Sequence, residues 1–152
     1  MTKHPPPQFA QRSATPDDLP YLLTLRRATM ETHMRASGVE TSDDGHRARI
    51  LHGFEHARIL ERDGAPIGLL KLQRGAQGWD LLQIQLDPTL HGQGVGRRIL
   101  EDILAEADAA RVPVTLGVLK ANPARRLYER LGFVQVGEDA HEFRMRRDPA
   151  AT

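Results

Sequence analysis

Three glycines at alternate positions form the part of the sequence that points most clearly to chemistry. Gly92, Gly94 and Gly96 follow an apolar strand pattern and stand where a helical pattern begins. Glycine lets the backbone turn tightly and lets a ligand approach the amides. The first turn of a helix has unpaired N–H groups and the positive end of the helix dipole, so it suits an anion, above all phosphate. Arg97 and Arg98 add positive charge, and the segment predicts a phosphate-binding loop.

The spacing of these glycines does not fit two common nucleotide-binding patterns. The dinucleotide pattern needs glycine at its first, third and sixth positions, and the sixth position counted from Gly92 is Arg97. The P-loop needs Gly-Lys-Ser or Gly-Lys-Thr, and neither tripeptide follows. The alternative interpretation, that the glycine segment is only a tight connection and binds no ligand, stays open.

A second motif lies one helix and one strand further along the chain. It contains Asn122, the pair Leu127-Tyr128 and the tripeptide Leu131-Gly-Phe133. Together with the loop sequence His91-Gly-Gln-Gly-Val-Gly, this motif resembles the GNAT superfamily of acetyl-CoA-dependent N-acetyltransferases. In that family a strand leads into an Arg/Gln-x-x-Gly-x-Gly/Ala loop. The strong motifs cover about residues 81–137, and the remaining elements follow in the order that the family's fold has.

The resemblance implies acetyl-CoA as the acetyl donor and gives roles to particular residues. Tyr128 would donate a proton to the leaving thiolate, and Asn122 would contact the pantetheine arm. Backbone groups near Ile84, Gln85 and Leu86 would pair with that arm as a strand does. The residues implied around the pyrophosphate are Gln93, Gly94, Val95, Gly96, Arg97 and Arg98, and the coenzyme-binding set is completed by His91, Gly92 and Arg125.

Several of these assignments have alternatives. His91 replaces the family's usual Arg or Gln; imidazole can still donate a hydrogen bond to phosphate, with a charge that depends on pH. Tyr128 fits an amphipathic core position whose hydroxyl reaches a carbonyl. Asn122 precedes a proline, as a helix N-cap does, and capping is compatible with ligand contact. Arg125 and Arg126 face either the 3′-phosphate of coenzyme A or solvent.

The acceptor side is less defined. By analogy with the family's fold, the nearest candidates for a general base are Glu31, His33, Glu55 and His141. Glu31 and His33 lie in the helical region that covers the acceptor site in the family. Gln83, on the central strand, is expected near the acceptor but cannot accept a proton as a carboxylate does. Water can also carry the proton, in which case no single base exists.

The pentapeptide from His52 to His56 matches His-x-x-Glu-His, the inverted zinc-protease pattern. That pattern needs a stable helix, which Gly53 weakens, and a further ligand from another helix. We interpret the segment as a helix end that leads into a strand, and expect no metal.

Composition limits the class of protein. The chain has 152 residues, no cysteine and a formal net charge of +1, which argues against nucleic acid as a partner. Without cysteine there is no disulfide, thiolate metal site or cysteine nucleophile, so an acetyl group would pass directly to the acceptor. No uncharged apolar run approaches the ~18 residues of a membrane span, and no apolar signal segment stands at the start. These features predict a cytoplasmic protein without a membrane partner.

The elements that position the motifs alternate as strand, helices, three strands, helix, strand, helix and two strands. Thr15-Pro-Asp-Asp starts a helix, Ser42-Asp-Asp caps a second helix that runs to about Phe54, and Asp63-Gly64 fits a tight hairpin turn. The pattern predicts an α/β (α+β) protein with a mixed, mostly antiparallel central sheet of about six or seven strands flanked by helices. A single domain is predicted for 8–147, between flexible tails at 1–7 and 148–152.

The strand from Trp79 to Leu86 alternates in residue type. A period of two predicts one face with Leu82, Ile84 and Leu86 and an opposite face with Leu81, Gln83 and Gln85.

The function predicted from the sequence is transfer of the acetyl group of acetyl-CoA to a primary amine. A non-catalytic coenzyme A-binding or regulatory module on the same fold is the alternative, because a fold does not fix a function. The acceptor is open between a small amine, an amino acid, an antibiotic and a protein or peptide amine. A homodimer is compatible with the sequence, because mixed sheets expose edges that need cover.

Overall fold

A seven-stranded sheet forms the centre of the computed structural model, which describes residues 9–150. The spatial order is β1-β2-β3-β4-β5-β7-β6, and only the β4–β5 pair is parallel. This confirms the predicted mixed, mostly antiparallel sheet. The predicted N-terminal tail lies outside the described residues. The strands are β1 (Phe9–Ser13), β2 (Ala57–Arg62), β3 (Ala65–Arg74), β4 (Trp79–Leu86), β5 (Val114–Leu119), β6 (Val134–Glu138) and β7 (Glu142–Arg147).

Two pairs of helices cover the two faces of the sheet. They are α1 (Leu19–Ala36) and α2 (Asp43–Leu51) on one face, and α3 (Val95–Ala110) and α4 (Ala124–Arg130) on the other. Each helix packs apolar side chains against the sheet, so there are two cores: one under α3 and one under α1 and α2.

The helix ends follow local sequence signals. The Ser42 hydroxyl accepts a hydrogen bond from the Gly45 amide and caps α2. Helix α2 ends at Leu51, before the predicted end near Phe54, because the chain turns at His52 and enters the left-handed region at Gly53 with a φ of 66°. Gly132, with a φ of 101°, follows α4 at the position where glycine commonly ends helices.

Strand β4 departs from simple alternation. Leu81 pairs with Leu72 of β3, whereas Gln83 pairs with the adjacent Lys71, so Leu82 is an extra residue in a β-bulge. The bulge places Leu81 on the α3 face together with Ile84 and Leu86, in the α3 core. The prediction that Leu81 shares a face with Gln83 is therefore wrong, because an inserted residue changes the period of two.

The two parallel strands separate after a short contact. Strand β4 pairs with β5 only at Trp79–Val114, Asp80–Thr115 and Leu81–Leu116. Strand β5 continues beside β7 to the Leu119–Glu142 pair. From residue 82 onward, the edge of β4 that faces β5 has no strand partner within residues 9–150, and a wedge-shaped gap opens in the middle of the sheet.

Candidate active site

Two cavities meet at the gap between β4 and β5. The wedge cavity has a volume of about 300 Å³ and is lined by residues from both faces of the sheet, among them Arg26, Arg49, Gln83, Gln85, Leu116, Gly117, Asn122, Tyr128, His141 and Glu142. The loop groove has a volume of about 480 Å³ and lies on the α3 face, where it is lined by Ile84, Leu86, His91, Gly92, Gly94, Val95, Gly96, Arg97 and Tyr128 among others. Tyr128 and Ile84 line both cavities, so the gap joins the two faces.

The glycine turn presents unpaired backbone donors to the loop groove. Gly92 and Gly94 have φ angles of 80° and 75°, which side-chain-bearing residues rarely adopt. They lead into α3, where no acceptor among residues 9–150 bonds the amides of Val95, Gly96 and Arg97. These donors and the helix dipole make the turn a site for an anion.

Side chains of the turn hold its shape. The His91 Nε2 lies 3.1 Å from the Leu86 carbonyl oxygen, which can only accept, so the ring donates there. The Gln93 side-chain amide donates to the Thr89 carbonyl at 3.0 Å. In its neutral form His91 therefore has no second N–H for a phosphate, and only a protonated ring donates to both.

The cationic residues of the predicted coenzyme set differ in position. Arg97 lines the loop groove and lies 3.7 Å from Glu101, whereas Arg98 is exposed on α3 and is not among the lining residues. The Arg125 guanidinium lies 4.8 Å from the centre of the Phe143 ring, and Arg125 is not among the lining residues of either cavity.

Tyr128 stands at the junction of the two cavities. Its side chain is buried, and its ring packs edge-on against Phe133 with 5.8 Å between ring centres. Its hydroxyl makes no hydrogen bond to any residue in the described part of the chain and is not one of the fully buried side-chain atoms, so it is open to the cavities that Tyr128 lines. Burial raises the pKa of Tyr128 to about 12, so the phenol keeps its proton across the physiological range.

Asn122 is both a cap and a cavity residue. Its Oδ1 accepts a hydrogen bond from the Ala124 amide at 2.9 Å, which satisfies a donor at the start of α4. The same side chain lines the wedge cavity. The N–H groups on Nδ2 remain for a ligand, so Asn122 can cap the helix and contact a ligand at the same time.

Two glutamines of β4 also line the wedge cavity. Gln83 is 6% exposed and Gln85 is 5% exposed. Both amide atoms of Gln83 and the Oε1 of Gln85 are buried without a hydrogen-bond partner within residues 9–150. An unmade hydrogen bond of this kind costs about 1–3 kcal/mol, so these atoms mark a wall that is built for polar contact.

Buried basic side chains support the α1 face of the cavity. The Nζ of Lys71 donates to the carbonyls of Ile50 at 2.8 Å and His52 at 2.6 Å, at the end of α2. The Arg26 Nε donates to His46 Nδ1 at 3.0 Å. Burial, Arg49 and Arg26 lower the pKa of Lys71 to about 8, and burial and Arg26 lower the pKa of His46.

His141 and Glu142 line the cavity from the start of β7. The His141 Nδ1 lies 2.9 Å from the Ser37 carbonyl oxygen and must donate to it, so Nε2 of the neutral ring is an acceptor. The Asp139 carboxylate accepts hydrogen bonds from the backbone amides of both residues, at 2.8 and 2.7 Å. The Glu142 carboxylate lies beside Gly117, with Oε1 3.0 Å from an ideal Cβ position there.

The structure brings only some of the predicted acceptor-side residues to the cavity. Gln83 and His141 line it, whereas Glu31, His33 and Glu55 do not. Glu31 instead lies on α1 with Oε1 3.3 Å from the guanidinium of Arg35.

Sequence reasoning missed four charged residues that do line the cavity: Arg26, Arg49, Asp139 and Glu142. No local pattern marks Arg26 or Arg49. For Glu142, the available signal was its position next to His141 at the start of a strand.

The zinc-protease pattern does not lie on one helix. Helix α2 ends at Leu51, and the chain passes through a left-handed Gly53 into a single 3₁₀ turn from Phe54 to His56. The segment is therefore a helix end that leads into β2, and the two histidines share no helical face.

Comparison with known protein families identifies the class. The model of the acetyltransferase (GNAT) domain matches residues 31–145, and the chain therefore belongs to the GNAT acetyltransferase family. It is an acetyl-CoA-dependent acyltransferase. The resemblance noted from the two sequence motifs is thereby confirmed. A comparison with curated protein sequences gives no significant match.

Solved structures of acetyltransferases share the fold. An acetyltransferase from Thermus thermophilus has a TM-score of 0.72 and 23% identity, covering 93% of this chain and 97% of that one. The PaiA N-acetyltransferase from Thermoplasma acidophilum, solved with coenzyme A, has a TM-score of 0.71 and 17% identity, covering 92% and 98%. The ribosomal-protein-S18-alanine N-acetyltransferase from Escherichia coli has a TM-score of 0.65 and 22% identity, covering 95% and 96%.

The residues present fit acetyl-CoA. The α3 amides that have no acceptor within residues 9–150 suit its pyrophosphate, and the edge of β4 that has no strand partner in the same range offers backbone groups to its amide-containing arm. No helix within residues 9–150 has the length and apolar character that crossing a membrane requires.

Proposed function

We propose that the protein transfers the acetyl group of acetyl-CoA directly to a primary amine, with the donor in the loop groove and the acceptor in the wedge cavity. The observation that carries this proposal is the position of Tyr128, which lines both cavities and has a hydroxyl without a partner in the described part of the chain. Transfer needs both substrates to meet, and the gap between β4 and β5 is where the two cavities join.

The coenzyme side uses backbone more than side chains. The amides of Gly94, Val95, Gly96 and Arg97 hold the pyrophosphate, with charge supplied by the helix dipole and the arginine. His91 and Gln93 act by fixing the turn. The edge of β4 near Ile84, Gln85 and Leu86 pairs with the pantetheine arm, and Asn122 donates to it through Nδ2.

The reaction needs one proton removed and one delivered. The amine nitrogen attacks the thioester carbonyl, a C–N bond forms, and the C–S bond breaks. Tyr128 gives its proton to the leaving thiolate, and its raised pKa of about 12 keeps that proton available at neutral pH. His141 accepts the amine proton at Nε2, because its Nδ1–H is held by the Ser37 carbonyl.

Calorimetry with acetyl-CoA, coenzyme A and NADH tests the donor side. We expect micromolar binding of the first two and none of NADH. Gly94→Glu places a carboxylate in the turn and abolishes binding. Gly64→Glu is the matched control, because Gly64 has a φ of 80° and equally open space in the β2–β3 turn.

Release of coenzyme A in the presence of amines tests transfer. Turnover that depends on both acetyl-CoA and amine supports an enzyme. Tight binding without turnover over a broad amine panel would instead support the non-catalytic coenzyme A-binding module.

A further inference from the structure

The α1 wall of the wedge cavity holds a buried guanidinium without an anionic partner in the described chain. Arg26 is 7% exposed, and its bonds within residues 9–150 go to His46 Nδ1 and, at 3.7 Å, to the Met34 sulfur. No carboxylate of the described chain lies within ion-pair distance of it. An unpaired buried charge is costly, so an arginine that lines a cavity in this state is suited to an anion from outside the protein.

The neighbouring charges are of the same sign. Arg49 lines the cavity from α2 and makes one long hydrogen bond, to the Leu82 carbonyl at 3.3 Å. Lys71 lies close enough for Arg26 and Arg49 to lower its pKa, and its three N–H groups go to backbone carbonyls. Lys71 therefore adds charge to this wall, while the two arginines have N–H groups left for a ligand.

The cavity also has anionic lining residues, and Glu142 is near enough to act on the charge of Arg26 without forming an ion pair with it. The Glu142 carboxylate lies beside Gly117, and Asp139 holds the backbone of His141 and Glu142. A cation such as an ammonium group is favoured near Glu142, and an anion is favoured near Arg26 and Arg49. The cavity is complementary to a molecule with both charges.

The size of the cavity favours a small molecule. Its volume of about 300 Å³ corresponds to about ten water molecules at ~30 Å³ each. The amide atoms of Gln83 and Gln85 that have no partner within residues 9–150 add neutral donors and acceptors to the same cavity.

We propose that the acceptor is a small amine that also carries a carboxylate, with its carboxylate bound by Arg26 and Arg49 and its amine directed toward Glu142 and His141. This inference rests on the proposed function and names its substrate class. Guanidinium groups bind carboxylates through paired N–H donors, which lysine cannot match, so two cavity arginines favour this anion.

Binding to the complex with coenzyme A tests the inference directly. The probes are the standard amino acids and β-alanine, each as the free acid and as its primary amide, titrated by calorimetry at saturating coenzyme A. We expect at least one acid to bind more than tenfold more tightly than its amide. Tripeptides that carry the same amino acid at their N-terminus distinguish a free small acceptor from a peptide, and we expect them to bind more than tenfold more weakly.

A pair of exposed arginines on α2 supplies the variants. Arg49→Gln removes one guanidinium from the cavity and should weaken binding of the acid at least fivefold more than binding of its amide. Arg47→Gln is the matched control, because Arg47 is exposed on the same helix and does not line the cavity. It should change neither affinity.

Three results would overturn the inference: equal affinity for acids and amides, no measurable binding of any acid, or equal effects of Arg49→Gln on acid and amide. Each leaves the proposed function standing if acetyl-CoA binds and a simple alkylamine is acetylated. Absence of acetyl-CoA binding would instead refute the proposed function itself.

Discussion

Replacing Tyr128 with phenylalanine separates catalysis from packing. The ring, its burial and its edge-on contact with Phe133 are kept, and only a hydroxyl without a partner in the described chain is lost. The free energy of unfolding should therefore change by less than about 0.5 kcal/mol, as for changes that break no named interaction.

The rate should change far more. A positioned general acid contributes about 10²–10⁴-fold, which is about 3–5 kcal/mol of activation free energy at ~1.4 kcal/mol per tenfold. We expect Tyr128→Phe to lower kcat by about that factor and to leave the Kd for acetyl-CoA within about twofold, because the proposed coenzyme contacts lie on the loop and on β4. Because the pKa of Tyr128 is about 12, the wild-type rate should show no loss from its ionisation below a pH of about 10.

The other tyrosine of the chain is the matched control. The Tyr21 hydroxyl, unlike that of Tyr128, is fully buried without a partner among residues 9–150, and Tyr21 lines neither cavity of the site. Tyr21→Phe should leave kcat unchanged and raise the free energy of unfolding by about 1 kcal/mol, since it removes a desolvated hydroxyl. Steady-state release of coenzyme A and urea unfolding measure both variants. Equal kcat for Tyr128→Phe and wild type, with acetyl-CoA saturating, would remove Tyr128 from the mechanism.

Two further predictions concern stability. An ideal Cβ at Gly68 lies 2.5 Å from the Gln85 carbonyl oxygen. Gly68→Ala should therefore push β3 away from β4 and lower the free energy of unfolding by about 1–3 kcal/mol. Urea unfolding measures this, and an unchanged midpoint would contradict it. Burial and Arg26 lower the pKa of His46 below its ordinary 6.5, so the unfolded chain binds a proton first as pH falls. Stability should drop below pH ~6.5 by up to about 1.4 kcal/mol per pH unit, and His46→Gln should flatten that slope; the same slope in the variant would assign it to other groups.

The features that were predictable from the sequence depend on local backbone rules. Gly92 and Gly94 adopt the left-handed angles that a tight turn requires, and Gly132 ends α4 for the same reason. The hairpin turn at Asp63-Gly64 has positive φ at both residues, as a two-residue turn of this type needs. In each case the local sequence supplies a residue that tolerates a backbone conformation most residues avoid, so the turn can be predicted without the rest of the chain.

The features that were not predictable depend on pairing between distant segments. The extra residue at Leu82 is defined only by the register against β3, and residue types along β4 do not reveal it. Arg26 and Glu142 lie far apart in the sequence but line the same cavity in the structure. A sequence read along its length cannot show that these two charges share one cavity.

The bulge and the gap together explain why the two proton-transfer groups come from different faces. The bulge directs Gln83 and Gln85 toward α1 while Ile84 and Leu86 face α3. The gap beyond Leu81 then leaves one opening through the sheet, with Tyr128 reaching it from α4 and His141 from the start of β7. In the proposed reaction the amine loses its proton on one side of the thioester carbon and the thiolate gains one on the other. Two separate groups are needed for this, because a phenol with a pKa of about 12 does not ionise to accept the first proton at neutral pH.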